Sequence, residues 1–346
     1  MATAASNNPV RTRRRVIVVC LAFLLFLTLT LPLLDHLPLA DASGHTNPRA
    51  ELWRQVREGV VGYTAVTGQE TGVLIQGTGQ VWRQLRNGPL ATYGAWLLAV
   101  TVFALGFFYL LRGQVKLTEP RTGITVLRWT LAERILHWYT ALLFIVLGIT
   151  GLSLLYGRAM IIPLIGKAGF SAYAEFAKLL HNFLGPLFIV GLLLMFAAWA
   201  RDNIPNRLDI QWLKSFGGMI GHRHPSAERM NAGEKAWFWL LVFAGLAVSV
   251  SGLILDFPNF EQGRFVIQIA HLLHASLAIV LVAASLAHIY IGTVGTQDAL
   301  EGMVSGRVDA AWAKQHHDLW YEEIRSSGVE TVDRSECRRS TQTDAN

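Results

Sequence analysis

The sequence of 346 residues is poor in cysteine and in charged side chains. Its two cysteines, Cys20 and Cys337, lie near opposite ends, and neither a C-x-x-C pair nor a C-x-x-C-H motif occurs. This excludes a disulfide scaffold, a cysteine-bound cluster and covalent haem attachment. Charged residues make up 16% of the chain, against about 25% in soluble domains, which excludes an ordinary soluble enzyme.

Long stretches without any charged residue account for the low charge content. A helix needs about 20 apolar residues to cross a bilayer, and five of the six stretches are comfortably long enough. The sequence therefore predicts an all-α, polytopic transmembrane helical bundle. The stretches are 16–34, 87–111, 135–157, 179–200, 236–255 and 265–297.

The N-terminal region resembles a secretory signal. Arginines precede an apolar run at Val16–Leu34, which is followed by Ala40-Asp41-Ala42, and this order is typical of a cleavable signal peptide. Because the run is long for a signal, an uncleaved anchor over 1–42 is the alternative. Residues 43–90 show neither helical nor strand periodicity, so we expect an extracytoplasmic segment there.

Lysine and arginine counts predict how the spans are oriented. Residues 112–134 hold five, 201–235 hold six and the tail 301–346 holds six, whereas 156–178 and 256–266 hold three and one. We expect the three richer segments, including the C-terminus, to face the cytoplasm. The predicted crossings are 91–111, 134–156, 177–200, 236–255 and 267–292.

Five of the eleven histidines lie inside the predicted spans, where ionisable groups are costly and by default functional. By depth, His137 and His288 share the cytoplasmic level, while His181 and His274 share the outer level. His274 and His288 are 14 residues apart, which places them about 21 Å apart on the same side of one helix. His271 points about 100° away from His288 and is the poorer partner.

Two bis-histidine pairs at two depths fit two stacked haem b groups. Neutral imidazole is a good iron ligand, and helical bundles build cofactor sites from facing helices. We predict His137 and His288 as axial ligands of an inner haem, and His181 and His274 as those of an outer haem. His271 could instead serve a propionate or a water. Three nearby glycines fit either a flat macrocycle or close helix packing: Gly148, Gly151 and Gly185.

A haem-free transporter or membrane scaffold is the alternative from a different class. Its histidines would relay protons or bind a cation, with carboxylates at membrane depth as partners. Asp and Glu occur only at the ends of the predicted spans, which favours haem.

Seven stretches match a known family in order and spacing: Arg134-Ile-Leu-His-Trp138, Leu179-Leu-His-Asn-Phe-Leu-Gly185, Asn203-Ile-Pro-Asn206, Asn231-Ala-Gly-Glu-Lys235, Leu273-His-Ala275, His288-Ile-Tyr290 and Trp312-Ala-Lys-Gln-His-His-Asp-Leu-Trp-Tyr321. Over about 125–325 the sequence resembles the gamma subunit, a membrane cytochrome b, of respiratory formate dehydrogenases. The wider group includes hydrogenase cytochrome b subunits. Together with the residue patterns above, this predicts five regions: 1–42 (signal or anchor), 43–90 (extracytoplasmic), 91–111 (extra span), 125–300 (four-helix di-haem core) and 301–346 (cytoplasmic tail).

The resemblance implies an electron-transfer subunit of the bacterial inner membrane that reduces quinone, either menaquinone or ubiquinone, and does not itself oxidise formate. Its partners would be an iron–sulfur subunit and a molybdenum or tungsten catalytic subunit; lipid surrounds it, and no nucleic acid is expected. The family's quinone pocket corresponds here to Asn231, Gly233 and His288, while Glu234 stands where the family often has Gln. A hydrogenase cytochrome b subunit is the alternative within the class.

Other histidines and tryptophans carry weaker signals. We expect His222-x-His224 to lie in a solvated loop. His316-His317, flanked by Trp312 and Trp320, is expected to form an amphipathic docking surface. Tryptophans near the span ends are typical of interfacial belts, among them Trp199, Trp237 and Trp239.

Overall fold

The computed structural model describes residues 77–218, 224–260, 262–328 and 332–333. Within them, five helices are long and apolar enough to cross a membrane, and the predicted all-α polytopic bundle is confirmed. These helices are Thr78–Arg112, Leu131–Met160, Ile162–Trp199, Ala232–Asp256 and Arg264–Gly295. Outside the described residues lie the predicted signal or anchor, residues 43–76, Cys20, Cys337 and His222.

The first span begins earlier than the sequence indicated. Helix α1 (Gly77–Leu85), a π-helical turn (Arg86–Leu90) and helix α2 (Ala91–Arg112) follow one another without a break. The expectation that residues up to 90 lack helical order is therefore wrong for 77–90. Several glycines and Pro89 lower the local helix propensity, but contact of α1 with a later span compensates for it.

Four further helices form the core of the bundle. They are α3 (Leu131–Met160), α4 (Ile162–Trp199), α6 (Ala232–Asp256) and α7 (Arg264–Tyr290). Helix α3 packs on α4 and α6 on α7, while α4 also contacts α6 and α2 contacts α7. Near its start α4 is broken at Gly166, whose φ of 72° is a left-handed conformation that favours glycine.

The C-terminal residues fold back on the bundle and pack with two connecting segments. Together these form the cap, defined here as residues 113–130, 224–230 and 296–328. Strands β1 (Ile124–Leu127), β2 (Arg307–Asp309) and β3 (Val332–Asp333) form an antiparallel sheet of order β2-β1-β3, which pairs Thr125 with Asp309 and Val126 with Val308. The end of the bundle that carries the cap is called the cap end, and the opposite end the far end. The remaining helices are α5 (Arg207–Lys214), α8 (Ala299–Ser305), α9 (Ala310–His316) and α10 (Asp318–Ser326).

The tail surface predicted to be an amphipathic docking surface is buried inside the cap, where it packs against other residues of this chain. Trp312 and Trp320 are each 6% exposed and His317 is 1% exposed. The Nδ1 of His317 donates to the carbonyl of Glu228 at 2.9 Å. The apolar face of the tail covers strand β1 and loop 224–230 of the same chain, and His224 lies edge-on to His316, with ring centroids 5.4 Å apart.

The cap is joined to the bundle by a buried arginine. The guanidinium carbon of Arg128 lies 5.2, 5.3 and 5.2 Å from the ring centroids of Trp129, Trp312 and Trp320. Its Nη2 donates to Oε1 of Glu234 in the first turn of α6 at 2.9 Å. A desolvated cation among aromatic rings contributes about 2 kcal/mol, so this contact fixes the cap against the start of α6.

We expect the cap to lose stability in acid. Burial lowers the pKa of His316 to about 3, and burial together with nearby Arg128 lowers the pKa of His317 well below its usual range. In the unfolded cap both groups titrate near about 6.5. Below that pH the unfolded state takes up protons that the folded state does not, so stability falls as pH falls from about 6.5.

Hydrogen exchange at about pH 7.5 and about pH 5, corrected for intrinsic rates, measures this effect on α9 and α10. His316→Gln removes one titrating group and should weaken the dependence. Burial raises the pKa of Asp309, but hydrogen bonds from Thr122, Ala311 and Gly123 outweigh this effect and hold the pKa below its usual value. The stability that Asp309 contributes to the cap is therefore lost only at still lower pH. Equal protection of the cap at both pH values would contradict the expectation.

Candidate functional site

The four histidines predicted as ligands meet in two pairs. The ring centroids of His137 on α3 and His288 on α7 are 6.2 Å apart, and those of His181 on α4 and His274 on α7 are 6.0 Å apart. Since a metal–imidazole bond is about 2 Å long, two imidazoles on opposite sides of one ion have ring centres about 6 Å apart. Both separations therefore fit an ion between the two rings.

These pairs are unsuited to a bare metal ion. No group of three or more His, Cys, Asp or Glu side chains able to hold a metal occurs in the part of the chain that the structure describes. An ion between two histidines would need its other ligands from elsewhere, and a haem would supply four nitrogens to its iron. The donor set thus fits haem iron better than a structural zinc site.

The pair nearer the far end, His181 and His274, is called the far-side pair. Hydrogen bonds orient both of its rings. The Nδ1 of His274 donates to the carbonyl of Val248 at 2.9 Å. The Nδ1 of His181 lies 2.9 Å from Oγ1 of Thr150, whose hydroxyl is 2.8 Å from the carbonyl of Val146 and can donate there. With Nδ1 occupied on each ring, Nε2 remains for a metal, and such partners fix the tautomer of a metal ligand.

A cavity of about 350 Å³ surrounds this far-side pair. A Cβ on Gly151 would lie 3.2 Å from Cε1 of His181, and a Cβ on Gly252 would lie 3.1 Å from Cε1 of His274. A Cβ at either position would require the adjacent ring to shift by a few tenths of an ångström, and a larger side chain would require more. Sequence reasoning missed Gly252, because one glycine in an apolar span is also typical of helix packing. The glycines that line the cavity are Gly148, Gly151, Gly185 and Gly252.

The far rim of the same cavity is polar. Arg86 from the π-helical turn, Lys178 of α4, Asp256 of α6 and His271 of α7 all line it. His271 lies one turn before His274 and is not paired with His137 or His181. The structure thus brings His271 to the cavity without making it a member of either pair.

The cap-side pair, His137 and His288, is held by aromatic contacts. Trp237 stacks on His288 with ring centroids 5.0 Å apart and planes 14° apart. Trp138 lies edge-on to His137 at 5.2 Å, and its Nε1 donates to the carbonyl of Met303 in the cap at 3.1 Å. The Nδ1 of His137 is buried without a hydrogen-bond partner among the described residues.

The residues predicted for a quinone pocket lie at the start of α6. Oδ1 of Asn231 accepts from the amide of Glu234 at 3.0 Å, and the Glu234 carboxylate accepts from the amide of Asn231 at 2.8 Å, which forms a capping box. A Cβ on Gly233 would lie 2.8 Å from Trp212. Gly233 and Trp237 are four residues apart and share one side of α6, so the pocket residues lie one turn from the ring stacked on His288.

Three tryptophans expected in interfacial belts have other roles, which corrects that expectation. Trp237 stacks on His288. Trp199 is 7% exposed and donates to Oε1 of Glu133 at 3.0 Å, while Trp239 donates to the carbonyl of Asn203 at 2.8 Å. The indole N–H groups of Trp199 and Trp239 are therefore used inside the protein.

A family model and several known relatives all indicate that this chain is similar to membrane cytochrome b proteins. The model of prokaryotic cytochrome b561 matches residues 128–306. The formate dehydrogenase cytochrome b556(fdo) subunit of Escherichia coli K12 is 32% identical over 207 residues, which cover 59% of this chain and 95% of that protein. The nitrate-inducible cytochrome b556(Fdn) subunit of the same strain is 29% identical over 208 residues, with coverage of 58% and 93%. The formate dehydrogenase cytochrome b556 subunit of Haemophilus influenzae is 29% identical over 218 residues, with coverage of 61% and 89%.

We expect Gly151→Leu to lower the haem content of the purified chain, because the added side chain displaces His181. Gly292→Leu is the matched control, since a Cβ at Gly292 meets nothing within 4 Å and Gly292 is not among the residues that line the cavity. The pyridine haemochrome spectrum per mole of protein measures the difference. Equal haem in the Gly151→Leu variant and the wild type would show that no flat group fills this cavity.

Proposed function

Because the chain belongs to the prokaryotic cytochrome b561 family, we propose that it carries electrons through two haem b groups. One would be held by His137 and His288 and the other by His181 and His274. The protein is a multi-pass membrane cytochrome b subunit of a formate dehydrogenase, and haem b is its cofactor. When bound, haem supplies one-electron chemistry at its iron, which the ligands and their surroundings tune.

One observation carries the proposal of two haems. Helix α7 supplies a histidine to each pair, and both pairs have nearly the same ring separation of about 6 Å. A rise of about 21 Å along α7 separates the two pairs, so they occupy different depths of the bundle. Four helices contribute, with α3 and α4 supplying the opposing histidines and α6 the residues packed against them.

The cap end is proposed to face the cytoplasm of a bacterium, with the protein in the inner membrane. Connections 112–134 and 201–235 and the C-terminal tail contain most of the lysine and arginine outside the spans, which supports this orientation. Electrons would then enter at the far end from an iron–sulfur subunit and leave at the cap end.

The proposed electron acceptor is a quinone, menaquinone or ubiquinone, bound beside the cap-side pair at Asn231, Gly233 and His288. The Asn231 side chain caps α6 with its oxygen and so keeps its amide N–H groups available to a quinone carbonyl. Gly233 allows Trp212 to pack against the start of α6, and Trp237 provides an aromatic surface against His288.

The proposed partners are the iron–sulfur subunit and a molybdenum or tungsten subunit that oxidises formate. The relatives found are named as formate dehydrogenase subunits, which favours formate over hydrogen as the electron source. In this proposal formate oxidation lies outside this chain, whose own residues bind the haems and quinone and hold them in fixed positions.

The ligand assignment is tested by removing one histidine from each pair. We expect His274→Ala to abolish the haem that His181 also holds and to leave the other haem intact, while His137→Ala has the opposite effect. Low-temperature absorbance and electron paramagnetic resonance of the full chain distinguish the two haems. His224→Ala is the control and should retain both. If His274→Ala and His137→Ala removed the same spectral species, the pairing would be wrong.

The quinone pocket is tested by Asn231→Asp. Aspartate caps a helix as well as asparagine does but lacks the amide N–H groups. Loss of one hydrogen bond worth about 1.4 kcal/mol corresponds to about a tenfold rise in KM for quinone. Steady-state assays with formate in the assembled complex measure KM, and unchanged haem content is the internal control. An unaltered KM would remove Asn231 from the pocket.

A further inference from the structure

The π-helical turn places an arginine at the far rim of the far-side cavity, and helix α1 places a tryptophan against a histidine of that rim. Arg86 lines this cavity together with His271. The ring of Trp82 lies edge-on to that of His271, with centroids 5.4 Å apart and planes at 77°. Both Trp82 and Arg86 lie outside the region that the family model matches, residues 128–306.

Polar atoms at this rim lack partners. Nε1 of Trp82 and Nδ1 of His271 are both buried without a hydrogen-bond partner in the described part of the chain. The indole N–H can only donate, and each unsatisfied buried group costs about 1–3 kcal/mol. Arg86 makes one hydrogen bond, to Oδ1 of its neighbour Asn87 at 2.8 Å, which leaves most of its five donors for another acceptor. An anionic acceptor at this rim would satisfy all three side chains.

We propose that Arg86, His271 and Trp82 bind the propionate carboxylates of the haem held by His181 and His274. The inference rests on the proposed function, since it requires a haem in this cavity. Haem b carries its two carboxylates on one edge, and the cavity is lined mainly by apolar side chains, with Asn182 and Ser249 as its polar residues besides the histidines and the charged rim. Asp256 shares the rim with two cations, Arg86 and Lys178, so the rim retains a net positive charge for the carboxylates.

This assignment gives the N-terminal extension a function in cofactor binding. Helix α1 contacts α7, its Trp82 packs against His271, and the π-helical turn that follows adds Arg86 to the far rim. His271, which belongs to neither pair, would then bind a propionate of this haem. Because Arg86 offsets the negative charge of the carboxylates, it favours the reduced, less positive iron and raises the midpoint potential of this haem.

The test is a redox titration of the full-length, haem-loaded chain carrying Arg86→Gln. We expect the midpoint potential of the haem that His181→Ala abolishes to shift downwards, and the potential of the other haem to stay constant. Arg83→Gln is the matched control, because Arg83 is exposed on α1 one turn earlier and is not among the residues that line the cavity. Selective loss of the far-side haem in Arg86→Gln would also support the proposal.

Trp82→Phe provides a second, milder variant. It keeps an aromatic ring against His271 and removes only the N–H donor, so we expect a smaller downward shift of the same haem. If Arg86→Gln and Trp82→Phe both gave the potentials of the Arg83→Gln control, the propionate assignment would be overturned while the two haems remained. A wild-type chain without a haem on His181 and His274 would instead contradict the proposed function.

Discussion

The spacing of His274 and His288 on α7 is the constraint on which the rest of the bundle depends. One membrane helix presents two imidazoles about 21 Å apart, and a different helix must supply the opposing ring at each level. Helix α3 does so near its start with His137, and α4 does so in its spanning part with His181. The centroid separations of 6.2 and 6.0 Å then set the distances between α7 and its neighbours, and Gly151 and Gly252 are small because larger side chains would displace the rings.

The cap fixes one end of this arrangement. Arg128 lies among three tryptophans and is paired with Glu234, so the cap and the first turn of α6 are held as one unit. The capping box of Asn231 and Glu234 sets where α6 begins, and one turn later Trp237 stacks on His288. Cap stability and the surroundings of the cap-side pair are therefore linked, and the buried, neutral histidines of the cap make that link sensitive to acid.

Much of the fold and of the site could be predicted from the sequence, and the omissions have physical causes. The spans follow from apolar length, and the histidine pairs from their depth and a spacing close to a whole number of turns. The helix at 77–90 was missed because Pro89 and nearby glycines lower its helix propensity, while the contact with α7 that stabilises it is not visible in the sequence. The folding back of Trp312 and Trp320 depends on tertiary contacts that residue spacing does not encode. Thr150 and Ser251 left a readable signal, since each is a hydroxyl within an apolar span that lies close to a histidine Nδ1.

The proposal of two haems at two depths can be tested directly by a potentiometric titration of the purified full-length chain, with haem and protein quantified on the same sample. We expect two haem b groups per chain that titrate as two one-electron components with b-type spectra. A single haem per chain, or a chain that binds none, would contradict the proposal.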